Sequence, residues 1–119
     1  AVKAYVTTGG VWQVSDMNKK ENIIKIDNAM SKIALIGGYT YQYKLNQKEI
    51  EKKQTPEQSS GIIAQELEKV LPQAVQTNNN GDKFVNYSAI VPLLIEGMKE
   101  QQKEIETLKQ EIETLKENR

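Results

Sequence analysis

Ser15 and Lys20 are the two residues whose types and spacing could together do covalent chemistry. They bracket the hexad Ser15-Asp16-Met17-Asn18-Lys19-Lys20, which sets a potential nucleophile five residues ahead of a potential base. A serine hydroxyl attacks a carbonyl only when another group takes its proton. The sequence holds no His and no Cys. A Ser-His-Asp triad, a thiol nucleophile and the usual zinc sites are therefore excluded. The remaining bases are a carboxylate or an uncharged lysine. A lysine reaches neutrality at working pH only if burial or nearby positive charge lowers its pKa from about 10.4. Lys20 has Lys19 beside it and Ile23 and Ile24 shortly after, so both routes are open. The same letters also have a plain reading, since Ser-Asp commonly opens a turn or caps a helix.

The surrounding pattern alternates short strands and helices. Residues 2–7 alternate in strand fashion and Gly9-Gly10 permits a turn. Val11, Trp12 and Val14 then form an apolar strand running directly into Ser15, with Trp12 as a packing anchor. Ile23, Ile24 and Ile26 continue as an extended or helical segment. Ala29, Met30, Ile33, Ala34 and Ile36 recur at helical spacing before Gly37-Gly38. Tyr39, Tyr41 and Tyr43 alternate as a strand with one aromatic face, read as core or interface rather than a carbohydrate platform. Residues 44–60 are polar and without period, a mobile excursion. Ile62, Ile63, Leu67, Val70 and Leu71 mark an amphipathic helix stopped by Pro72, with Gln65 and Glu66 facing solvent. Residues 74–77 and 83–85 flank an Asn-Gly turn and read as a hairpin, whose loop carries too few carboxylates for calcium.

The last element is a heptad helix. Ser88 can cap it, and Pro92 is tolerated near its first turn. Val91, Met98, Ile105 and Ile112 share position a, while Leu94, Gln101, Leu108 and Leu115 share position d. In this register Glu104 and Glu111 occupy g, and Lys109 and Lys116 occupy e. A parallel partner would bring Glu104 to Lys109 and Glu111 to Lys116. The alternative, a single amphipathic helix folded on its own domain, requires a wider apolar stripe than this tail carries. Periodicity implies self-association without setting its order.

Composition narrows the remaining classes. Sixteen basic and sixteen acidic residues give zero formal charge, so no global field draws the chain to nucleic acid or anionic lipid. Arg119 is the only arginine, which argues against bidentate phosphate or base recognition. No apolar run is long enough to span a bilayer. The chain starts at Ala1 rather than Met and reads as a piece of a longer protein.

Three separated motifs carry a resemblance. They are Ser15-Asp16 with Lys20-Glu21-Asn22-Ile23, the run from Gly61 to Pro72, and the run from Val85 to Leu94. In order and spacing this text resembles the peptidase S74 family, from about Val11 to the C-terminus. These are intramolecular chaperone domains at the C-termini of phage tail fibres, tailspikes and endosialidases, with related copies in bacterial surface proteins. The resemblance implies an α+β body of short strands and helices followed by a parallel trimeric coiled coil. It implies a domain that trimerises the protein ahead of it and cuts itself off with a Ser-Lys dyad. The nucleophile would be Ser15, the base Lys20, the cut bond Val14–Ser15, and Asp16 would orient the turn or the lysine. Where the family commonly carries arginine, this chain has Asn18.

Residues 1–14 are then the end of the upstream segment, 15–87 the body and 88–119 the coiled-coil helix. The expected partners are two further copies in a homotrimer and the upstream domain of the same polypeptide. No nucleic acid, membrane insertion, cofactor or metal is expected. The resemblance points to a virion tail fibre or a bacterial surface. A non-cleaving trimerisation cap that stays attached is the alternative.

Overall fold

The computed structural model describes residues 3–118. Ala1, Val2 and Arg119, and with them the outer ends of the expected 2–7 strand, 1–14 segment and 88–119 helix, lie outside the described residues. Strand β1 (Ala4–Thr7) pairs antiparallel with β2 (Gly10–Gln13), setting Tyr5 opposite Trp12 and Val6 opposite Val11. Thr8 and Gly9 form the loop, and Gly10 sits at φ 120°, a conformation glycine adopts without strain. Trp12 fixes this turn through a hydrogen bond, its indole N–H donating to Thr7 Oγ1 at 3.0 Å. Its ring is half exposed, so it does not anchor the strand by burial.

Two more antiparallel pairs follow: β3 (Tyr39–Gln42) with β4 (Gln58–Gly61), and β5 (Val75–Thr77) with β6 (Lys83–Val85). The β5–β6 turn closes on Asn78, whose Oδ1 accepts the amides of Asn80 and Asp82 while Gly81 takes φ 84°. The expected excursion over residues 44–60 is corrected by β4 and by helix α2 (Gln47–Glu51). A capping box starts α2: Asn46 Oδ1 accepts Glu49 N and Glu49 Oε1 accepts Asn46 N, each at 2.9 Å. Strand β4 forms because β3 offers it an open edge.

Helix α1 (Ala29–Ile33) is shorter than the periodic 29–36 stretch. After it the chain turns, freeing Ile36 to pack with Ile62, Val85 and Ile90 around Leu67, Leu71 and Ala74. Leu67 and Leu71 come from helix α3 (Ala64–Val70) and its C-cap. That helix begins after Ile63, since Ile62 N is held by the Tyr87 hydroxyl at 3.1 Å. Helix α4 (Ile90–Glu117) continues from a 3-10 turn at Tyr87–Ala89. Ser88 does not cap it. Asn86 caps the preceding turn, its Oδ1 accepting Ser88 N at 3.1 Å.

Helix α4 has two different sides near the body. Leu93 and Gly97 are buried, Gly97 against α1, where an added Cβ would overlap Ile33 Cδ1. Glu100, one turn on, accepts the amides of Ala29 at 3.0 Å and Met30 at 2.6 Å. It thus caps α1 from outside, where Asn28 supplies no side-chain cap. The a/d residues Val91, Leu94, Met98, Ile105, Leu108, Ile112 and Leu115 remain 46–70% exposed, and Gln101 is exposed beside them.

The single chain is far from compact. Its radius of gyration is 20.7 Å, against about 13.5 Å for a globular domain of this length. It exposes 10531 Å², whereas a compact monomer of this mass exposes roughly 6,500 Å². Among the described residues no helix is long and apolar enough to cross a membrane.

Candidate cleavage site

The β1–β2 hairpin delivers Val14 to one end of its ladder. Val14 N donates to Lys3 O at 2.8 Å, one residue beyond the strand. Ser15 is therefore the first residue released from the ribbon. Asp16 stops the strand from continuing, because its Oδ1 accepts Asn18 N at 3.0 Å and caps a 3-10 turn at Met17–Lys19. Lys19 N bonds Asp16 O and Lys20 N bonds Met17 O within that turn. A turn of about three residues per revolution folds the hexad back on itself. It carries the Lys20 side chain to Ser15, with Nζ 2.7 Å from Oγ.

This distance lies within the reach a general base needs, and the same two heavy atoms can share either the lysine's proton or the serine's. Lys3, Gln13, Val14, Ser15, Asp16, Lys19 and Lys20 line one open cleft of about 610 Å³. Of the three lysines lining this cleft, Lys20 is the one bonded to the hydroxyl, and Asp16 is the one carboxylate lining it. Ser15 and Lys20 are both exposed in the single chain. Among the described residues no cluster of metal-ligating side chains exists.

The structure brings Val14, Ser15, Asp16 and Lys20 together. The heptad residues lie apart from them on α4. Glu66, read from sequence as a solvent-facing position, instead bridges two segments. Its Oε1 accepts Gly37 N at 3.0 Å and its Oε2 accepts the Tyr39 hydroxyl at 2.8 Å. That hydrogen bond, with the nearby carboxylate charge, raises the Tyr39 phenol above its ordinary value. Tyr41 is likewise raised, first through its hydrogen bond with Tyr43, whose ring meets it edge-on at 5.2 Å. Gln65 is exposed as expected. Glu100 and Gly97 were missed as well. Leu93, Gly97 and Glu100, spaced by four and three, form a second stripe on α4 that could have signalled a docked helix.

Comparison with known proteins shows which sequences this chain is similar to. The long tail fiber protein Gp37 of Salmonella phage S16 is 38% identical over 105 residues, covering 86% of this chain and 14% of that protein. The protein of the same name from Escherichia phage AR1 is 37% identical over 85 residues, 70% of this chain and 8% of its own length. That from Enterobacteria phage M1 is 34% identical over 99 residues, 80% of this chain and 38% of its own length. The chain therefore spans well under half of each of these relatives. A family model described as the chaperone of endosialidase matches residues 15–76, more than half of the chain and starting at Ser15. On that match the chain belongs to the peptidase S74 family.

Proposed function

We propose that this chain is the C-terminal chaperone of a phage long tail fibre, assembling the upstream fibre as a homotrimer and releasing itself by cutting Val14–Ser15. The single observation carrying the cleavage is the 2.7 Å approach of Lys20 Nζ to Ser15 Oγ at the end of the hairpin. Residues 1–14 belong to the released fibre, 15–87 to the body and 88–119 to a parallel trimeric coiled coil. Virion tail fibre is the location this reading gives, supported by the phage relatives.

In the reaction the neutral Lys20 amine accepts the Ser15 hydroxyl proton as Oγ attacks the Val14 carbonyl carbon. The Val14 C–N bond breaks, and the proton passes from Lys20 to the departing Ser15 nitrogen. This leaves an ester between Val14 and Ser15 Oγ. Water then hydrolyses that ester, giving a Val14 carboxylate and restoring the Ser15 hydroxyl. Lys3 and Lys19 line the same cleft. Closure of the cleft by a neighbouring copy would complete the site, which links the chemistry to assembly.

The exposure of Ser15 and Lys20 in the single chain favours a second reading, a cap that trimerises its fibre and stays attached. Intact mass separates the two. Cleaved protein loses the mass of residues 1–14, whereas a cap remains whole. Wild-type protein that stays whole from pH 6 to pH 10 over days excludes the cutting reading.

A further inference from the structure

Ile95 is half exposed and has no place in the a/d seam. It occupies position e, the flank that in a parallel coiled coil meets position g of a neighbouring helix five residues earlier in sequence. Taken down the helix, this rule pairs Ile95 with Ile90, Gln102 with Gly97, Lys109 with Glu104 and Lys116 with Glu111. The two distal layers join opposite charges and select the parallel register. The same register makes the layer nearest the body wholly apolar.

Ile90 is not an isolated helix residue. It packs partly buried against Leu67, Leu71 and Ala74, and the chain just before it, at Ala89, joins the same cluster. At the next g position α1 fills the space that a side chain on Gly97 would take. The g flank at this level is therefore the body itself. We infer that Ile95 of each chain docks on the body of a second copy, beside that copy's Ile90 and the apolar cluster beneath it. The inference rests on the parallel coiled-coil reading and adds a body-to-helix contact outside the seam. Charge complementarity in the distal layers is what commits the occupant to a second copy rather than an unrelated partner.

Half exposure in the single chain means that a polar side chain at position 95 leaves the fold of that chain undisturbed, which circular dichroism checks. The test uses the full chain carrying Ser15→Ala, so that it stays whole, in sedimentation equilibrium over a range of concentrations. Ile95→Lys should weaken association at least tenfold and Ile95→Ala several-fold. Gln102→Lys, at the same heptad position one layer on, should change it by less than threefold. Leu108→Lys, in the seam, serves as the positive control. If Leu108→Lys weakens association and Ile95→Lys does not, the body contact is overturned while the coiled coil stands. If the parent chain is monomeric throughout, the coiled-coil reading fails and this inference with it.

Discussion

At the scale of single residues, the Ser15–Lys20 approach rests on a turn that Asp16 caps. Without its bond to Asn18 N the 3-10 turn loses its cap, and the lysine loses the path that returns it to the hydroxyl. In a chain carrying its natural upstream segment, Ser15→Ala should abolish scission, read by intact mass. Lys20→Arg should nearly abolish it, because a guanidinium stays protonated and cannot serve as base. Lys19→Arg should be mild, since it keeps the cation and leaves position twenty intact. Tyr39 gives a separate test away from that site. Its phenol is raised by Glu66, so its contribution to stability is present below pH 10 and lost as pH climbs through the raised value. Thermal melts of Tyr39→Phe should show a deficit against wild type at neutral pH that closes above pH 10.

At the scale of elements, local signals were legible and tertiary ones were not. The β5–β6 hairpin announced itself because Asn78 and Gly81 carry their turn chemistry with them. The long helix α4 was legible because its periodic apolar residues need no knowledge of their surroundings. Strand β4 was not, since Gln58, Ser59, Ser60 and Gly61 have little strand preference and pair only because β3 is beside them. Glu66 read as a solvent-facing carboxylate and Glu100 carried no signal for the same reason: the amides they accept lie 29 and 71 residues away in sequence. The Ser15–Lys20 contact lay between these cases, its spacing visible but its closure dependent on the Asp16 cap. Glu100 also alters how the helix should be dissected. Truncation after Lys99 would delete the α1 cap along with the distal seam, confounding two effects. Truncation after Lys103 keeps the cap and removes Ile105, Leu108, Ile112 and Leu115. It should abolish the proposed self-association in ultracentrifugation while the helix α1 amides stay protected from exchange. Glu100→Gln should do the converse, costing about 1 kcal/mol in denaturant unfolding through loss of a cap and exposing the Ala29 and Met30 amides.

At the scale of the molecule, the surplus of roughly 4,000 Å² over a compact monomer needs a cause. Among the described residues only Ala29, Leu67, Leu71, Ala74 and Leu93 form the buried hydrophobic core, too little for an elongated chain of this length to rely on. Association along α4 would cover the seam and draw the bodies together, and with them the clefts that hold Ser15. On the proposed mechanism, closure of that cleft by a neighbour would complete the site around Ser15 and Lys20. Under the proposed function, assembly would then precede cutting. Polar substitutions at Ile105 and Leu108 should therefore suppress scission without touching Ser15, Asp16 or Lys20. The measurement is the cleaved fraction against oligomeric state across a concentration series. Cleavage should fall in step with dissociation, and undiminished cutting in a variant shown to be monomeric would break the link between the helix and the site.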